Sequence, residues 1–170
     1  ATTLTLSTHS VGCNPDTPTP DTPASSPDTS PSPVSEGGNG LKLGALLPVT
    51  GDLAPIGQNM PEAIKLAVDE INACGGVNGN DVTVISEDSQ TDPTAGASAM
   101  TKLAEVDKVA GVVGAFASSV STAAVDVAVR NNVMMISPGS TSPVFTERAA
   151  NGDFNGYWAR TAPPDTYRSL

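Results

Sequence analysis

Residues 41–170 are predicted to form a parallel, doubly wound α/β sheet. Four short apolar stretches alternate with three stretches of helical spacing. Strong start and stop residues bound them, and the segment is long enough for one core. Strands that alternate with helices are covered on both faces, which suits a parallel sheet.

Residues 41–47 are apolar and end at Pro48, as a buried strand would. A helix follows over residues 58–73, with Met60, Ala63, Ile64, Ala67, Val68 and Ile71 on one face. Pro61 falls in its first turn, where a missing N–H does no harm, and Gly75-Gly76 supplies a left-handed stop. Residues 81–87 form the second strand through Val82, Val84 and Ile85. Asp92-Pro93 then opens a helix as N-cap and first residue, running to about Val106. Residues 109–116 make a third strand, and Ser118 or Ser119 caps a third helix with Val120, Ala123, Ala124, Val127 and Ala128 on its inner face. Residues 133–137 are a fourth strand, closed by Pro138-Gly139. Beyond Pro143 the pattern weakens to a strand at 157–161 and a cap at Asp165, and little remains to cover the outer edge of the fourth strand.

Residues 1–40 differ in kind. Between Asn14 and Ser35 the chain is almost wholly Pro, Thr, Ser and Asp, which buries too little apolar surface to offset chain entropy. This segment is read as a truncated signal followed by a disordered tether, and residues 41–170 as an incomplete lobe. Ser10-Val11-Gly12-Cys13 resembles a bacterial lipobox, with Ser10 where that pattern prefers Leu, so Cys13 is the expected lipidation site. Cys74 is expected to be a small buried thiol. The formal net charge of −10 comes without a basic cluster, which argues against nucleic acid as a partner.

In a doubly wound sheet, ligands bind beyond the carboxyl ends of the strands. Three loops there are rich in hydroxyls and poor in charge: residues 48–57, 117–122 and 137–143. Free N–H groups at the start of the third helix favour a carboxylate. Ser118 and Thr141 offer hydroxyl and amide donors, and the Gly139 carbonyl accepts from an ammonium. Ser119 and Ser140 flank these positions. Capping and turn chemistry alone also explains many such serines and threonines.

No catalytic, metal or cofactor site is expected. His9, the sole histidine, lies in the tail, away from the lobe. Gly-x-Ser-x-Gly is absent, and Gly111-x-x-Gly114 lacks the order and the lysine of a phosphate loop.

Several runs are more specific: Leu43-Gly44-Ala45-Leu46-Leu47-Pro48-Val49-Thr50-Gly51, Ile71-Asn72-Ala73-x-Gly75-Gly76-Val77, Asp92-Pro93, Gly111-Val112-Val113-Gly114, and Ile136-Ser137-Pro138 through Thr141-x-Pro143. Together with Arg160-Thr161 and Asp165 they resemble the periplasmic leucine/isoleucine/valine-binding protein family across nearly all of residues 41–170. The resemblance implies the first part of lobe 1 of a two-lobed fold, with a second lobe and a return segment lying beyond these residues. It implies an extracytoplasmic binding component of an ABC importer, partnered by membrane permease subunits, a small amino-acid-like ligand and a lipid anchor. By the same resemblance, Ser118, Gly139 and Thr141 hold the ligand's carboxylate and ammonium. Ile56 stands where leucine-binding members carry an aromatic, which weakens the implication of a branched-chain ligand. Thr91 and Ala117 stand where some members carry a disulfide. A ligand-sensing domain with the same fold, or a site for an amide- or urea-type ligand, are the alternatives.

Overall fold

The computed structural model of the chain describes residues 40–167. Its strands are β1 (Lys42–Leu47), β2 (Thr83–Asp88), β3 (Gly111–Gly114), β4 (Met134–Ser137) and β5 (Trp158–Arg160). They form one sheet in the order β2-β1-β3-β4-β5, with every pairing parallel. Its helices are α1 (Ala54–Gly57), α2 (Met60–Ala73), α3 (Pro93–Thr101), α4 (Ser118–Arg130) and α5 (Val144–Ala150). The helix predicted to reach Val106 continues past α3 as a π-helical turn, Lys102–Val106.

Leaving β1, the chain steps to β2 on one side; leaving β2, it crosses back to β3 on the other. Right-handed crossovers in opposite directions put α2 and α3 on opposite faces of the sheet. The α3–α4 face holds the main core. Leu46, Val112 and Met135 point into it and meet Met100, Leu103, Val120, Ala124 and Ala128, all fully or almost fully buried. Gly96 lets α3 approach α4, since a Cβ there would run into the Val120 side chain.

The opposite face is more open. The helix α2 packs on β1 and β2, so its apolar stripe is only partly covered. Val68 is buried, Ile71 is 41% exposed, and Ala63 and Ala67 are exposed. On that same face of β4, Ile136 is 38% exposed, while its neighbours Met135 and Ser137 are fully buried on the other.

The punctuation follows the sequence closely. The Asp92 carboxylate accepts from the Ala95 amide at 2.7 Å and caps α3. Gly75 and Gly76 take φ of 93° and 68° after α2. Asn72 explains the Ile-Asn-Ala run: its side chain accepts from the Val82 N–H at 2.7 Å and donates to the Val82 carbonyl at 3.0 Å. It thereby imitates a neighbouring strand and ties the end of α2 to the start of β2.

Four expectations are corrected. Cys74 sits exposed at the C-terminal cap of α2 and is not buried in the core, because the helix ends at a surface turn. Neither Ser118 nor Ser119 caps α4; the cap residue is Ala117, which makes no side-chain cap bond. The outer edge of β4 is paired by β5, with Met135 opposite Trp158 and Ser137 opposite Arg160. The third strand is shorter than predicted: it ends at Gly114, whose φ of 139° turns the chain out of the sheet. Cys13 and the tether lie outside the described residues.

Candidate binding site at the carboxyl ends of the strands

The strand order reverses between β1 and β3, so a crevice opens beyond their carboxyl ends, with the loop after β4 beside it. At its back stands the amino end of α4. The first intrahelical bond runs from the Ser121 N–H to the Ala117 carbonyl at 2.9 Å. The N–H groups of Ser118, Ser119 and Val120 therefore precede the helical ladder, and no side chain caps them. Such an end carries partial positive charge and suits an anion.

Ser118 is half-buried, and its hydroxyl oxygen accepts from the Ser142 N–H at 3.3 Å, which draws the loop after β4 against the helix. Ser119 is exposed. Gly139 lies flat on the Phe116 ring, where a Cβ would come within 2.6 Å of ring carbons. Only glycine allows that approach. The Thr141 hydroxyl donates to the Asp165 carboxylate at 2.9 Å, and the Asp165 N–H returns a 2.9 Å bond to the Thr141 carbonyl. Ile56 is 54% exposed, on α1, at the rim beyond β1.

Ser140 plays a supporting part. It is fully buried, and its hydroxyl pairs with the Ser121 hydroxyl at 2.7 Å. Ser121 and Ser137, also fully buried, both donate to the Ala115 carbonyl, at 3.0 and 2.6 Å. Ser137 in turn accepts from the Ser140 N–H at 2.9 Å. Three buried hydroxyls thus satisfy one another and the chain that leaves β3. They join β4, the loop after it and the first turn of α4 beneath the crevice.

The sequence reading missed Arg160 as part of this region. Its guanidinium donates to the Ser140 and Ser142 carbonyls at 3.2 and 2.8 Å and to the Thr146 hydroxyl. It braces the loop from behind while lying over Trp158, 5.7 Å from the ring centre. The available signal was the Arg160-Thr161 pair at the end of β5.

A cavity of about 420 Å³, lined in part by Lys42, Asn78, Lys108 and Ala110, opens at the amino ends of β1 and β3. In a parallel sheet that edge lacks the free helix starts that the carboxyl edge supplies. Among the described residues, no helix is long and apolar enough to cross a membrane.

Comparison with known proteins agrees with this geometry. Residues 40–167 match the family model described as periplasmic binding protein. The chain is 40% identical over 108 residues to Leu/Ile/Val-binding protein homolog 2 of Brucella abortus, covering 64% of this chain and 29% of that protein. It is 32% identical over 134 residues to the chemotactic signal transduction system substrate-binding protein BasB of Halobacterium salinarum, covering 78% and 32%. The crystal structure of the branched-chain amino acid transporter substrate binding protein LivJ from Streptococcus pneumoniae, in complex with isoleucine, superposes with a TM-score of 0.69 at 32% identity. That match covers 75% of this chain and 35% of LivJ. The chain spans about a third of the length of these proteins. From Gly40 to Tyr167, the chain belongs to the periplasmic binding protein family.

Proposed function

We propose that this lobe is one half of a clamp for a small amino acid, in an extracytoplasmic solute-binding protein of an ABC importer. The observation that carries the reading is the uncapped amino end of α4 at the reversal point of the sheet, beside a loop of hydroxyls. A ligand carboxylate is bound by the Ser118, Ser119 and Val120 amides. Thr141 and the Gly139 carbonyl receive the ammonium side, Ser140 holds their loop from beneath, and Ile56 lines the rim. The second lobe closes over the ligand, the permease recognises the closed form, and no bond of the ligand is broken. Names of the relatives support an amino acid as cargo.

A thermal panel on the full-length protein tests the ligand class. Leucine, isoleucine, valine, alanine, an aliphatic amide, urea and glucose are each added at equal concentration. A ligand that binds only the folded state raises the unfolding midpoint. An amino acid is expected to give the largest rise. A rise with urea or glucose alone would reject the zwitterion reading.

A sensory output is the second reading, favoured by the likeness to BasB. Loss of amino-acid uptake on deleting the gene supports transport; retained uptake with lost taxis supports sensing.

Residues 1–40 are proposed as tether and anchor, ending in the binding lobe at about residue 41. Cys13→Ser in the full-length precursor is expected to move the protein from the membrane fraction to the soluble one. Unchanged retention would exclude Cys13 as the anchor. Mass spectrometry of the mature amino terminus gives an independent answer.

A further inference from the structure

The crevice has two walls, and the serine network fixes only one of them. The other is the loop of residues 48–57, which leaves β1 and has no sheet to hold it. Its own backbone bonds are local: Val49 to Leu47, Ala54 to Gly51, and Ile56 and Gly57 to Leu53.

The longer-range bonds that hold it come from the end of β2. Asp88 stands opposite Leu47, the last residue of β1, so its carboxylate rises where the loop departs. One carboxylate oxygen accepts from the N–H groups of Val49 at 3.0 Å, Thr50 at 3.1 Å and Gln90 at 2.9 Å. The other accepts from the Thr50 hydroxyl. Beyond Asp88 the chain takes two left-handed residues, Gln90 and Thr91, with φ of 52° and 56°. That turn brings the Thr91 hydroxyl over the same loop, where it accepts from the Leu53 N–H at 3.1 Å and donates to the Thr50 carbonyl at 3.4 Å. Between the two pins Gly51 sits at φ 83°, its missing Cβ leaving room for the Gln90 carbonyl. The loops after β1 and β2 therefore interlock along a seam of five side-chain bonds to three residues of the first loop: Val49, Thr50 and Leu53.

We propose that Asp88 is a positioning residue for the ligand site: its carboxylate, with Thr91 as a second pin, holds the loop after β1 in the shape that binds. The proposal rests on the functional reading above and adds a residue that touches no ligand. Order built into a loop beforehand is entropy that binding need not remove. The charge state suits the role. Partial burial works against the Asp88 anion, but bonds from the Thr50 hydroxyl and the Gln90, Thr50 and Val49 amides outweigh it and hold its pKa below the ordinary carboxylate value.

The test uses the full-length protein, calorimetry with L-isoleucine, and hydrogen exchange of residues 48–57. Asp88→Ala is expected to weaken isoleucine binding by about tenfold or more and to speed exchange of the Val49 and Thr50 amides. Asp88→Asn keeps a carbonyl oxygen for the three amides and offers N–H to the Thr50 oxygen, so it is expected to stay within about threefold of wild type. Thr91→Val removes only the second pin and is expected to cost about threefold; it keeps the idea testable if Asp88→Ala does not fold. A lowered unfolding midpoint with unchanged affinity in Asp88→Ala and Thr91→Val would make the seam merely structural and overturn the proposal. A wild-type protein that ignores isoleucine and every other amino acid of the panel defeats the functional reading instead. The seam is then judged by exchange alone, and unchanged Val49 and Thr50 amides in Asp88→Ala overturn it as well.

Discussion

Phe145→Ala is expected to destabilise this lobe by about 3–5 kcal/mol, the usual cost of emptying a filled aromatic site in a core. Phe145 is fully buried on α5. Its ring stacks on Trp158 with centroids 4.4 Å apart and meets Phe154 at 6.2 Å; Phe154 and Trp158 are 5.3 Å apart. Three rings from three segments therefore close on one another, and Trp158 is the first residue of β5. The strand has only three residues, so its ladder contributes little without that cluster. Arg148 adds a cation over the outer face of Phe154, at 4.8 Å, while pairing with Asp126 and Asp153. Chemical denaturation of the full-length protein checks the loss. A change below about 1 kcal/mol, the level typical of surface substitutions or volume-conserving swaps, would mean that the cluster does not hold α5 and β5 to the sheet.

Periodicity revealed the central fold because the apolar residues of β1, α3, α4 and β4 recur at the spacing their burial requires. Short local signals also carried through: the Asp92 cap and the glycine stop after α2 depend on residues within a few positions. The helix α5 was missed because seven residues with only two large apolar ones hold too little periodicity to stand out after a run of serines and prolines. The stripe on α2 was overread, since spacing reports which side is apolar but not how much of it a partner covers.

The site was legible as loops and illegible as contacts. Sequence order and the switch-point rule located the crevice, and glycine and hydroxyl content marked its walls. What each hydroxyl does depends on partners far along the chain. Ser140 meets Ser121, 19 residues away, Thr141 meets Asp165 at 24, and Asp88 meets Thr50 at 38. A serine that faces a ligand and a serine that fills a polar core look alike until the chain is folded. Arg160 was hidden for the same reason: two of its three acceptors are backbone carbonyls, which every residue carries.

Thr141→Ala is expected to weaken ligand binding by about 1–3 kcal/mol in the full-length protein, the usual cost of leaving a charged partner short of a hydrogen bond. Two losses combine. The proposed ligand contact disappears, and the Asp165 carboxylate loses the hydroxyl that now donates to it at 2.9 Å. Thr141→Ser retains the hydroxyl and is expected to recover most of the affinity. Ser118→Ala is expected to cost less than Thr141→Ala. The Ser118 hydroxyl ties the loop after β4 to α4 through the Ser142 N–H, yet the backbone amides at the start of α4 remain to hold a carboxylate. Calorimetry on the three variants orders them directly: Thr141→Ala weakest, Ser118→Ala intermediate, Thr141→Ser near wild type. Equal affinity for Thr141→Ala and wild type would reduce that hydroxyl to a clasp for Asp165. A Ser118→Ala loss larger than that of Thr141→Ala would move the main anion contact from the helix amides to the serine side chain.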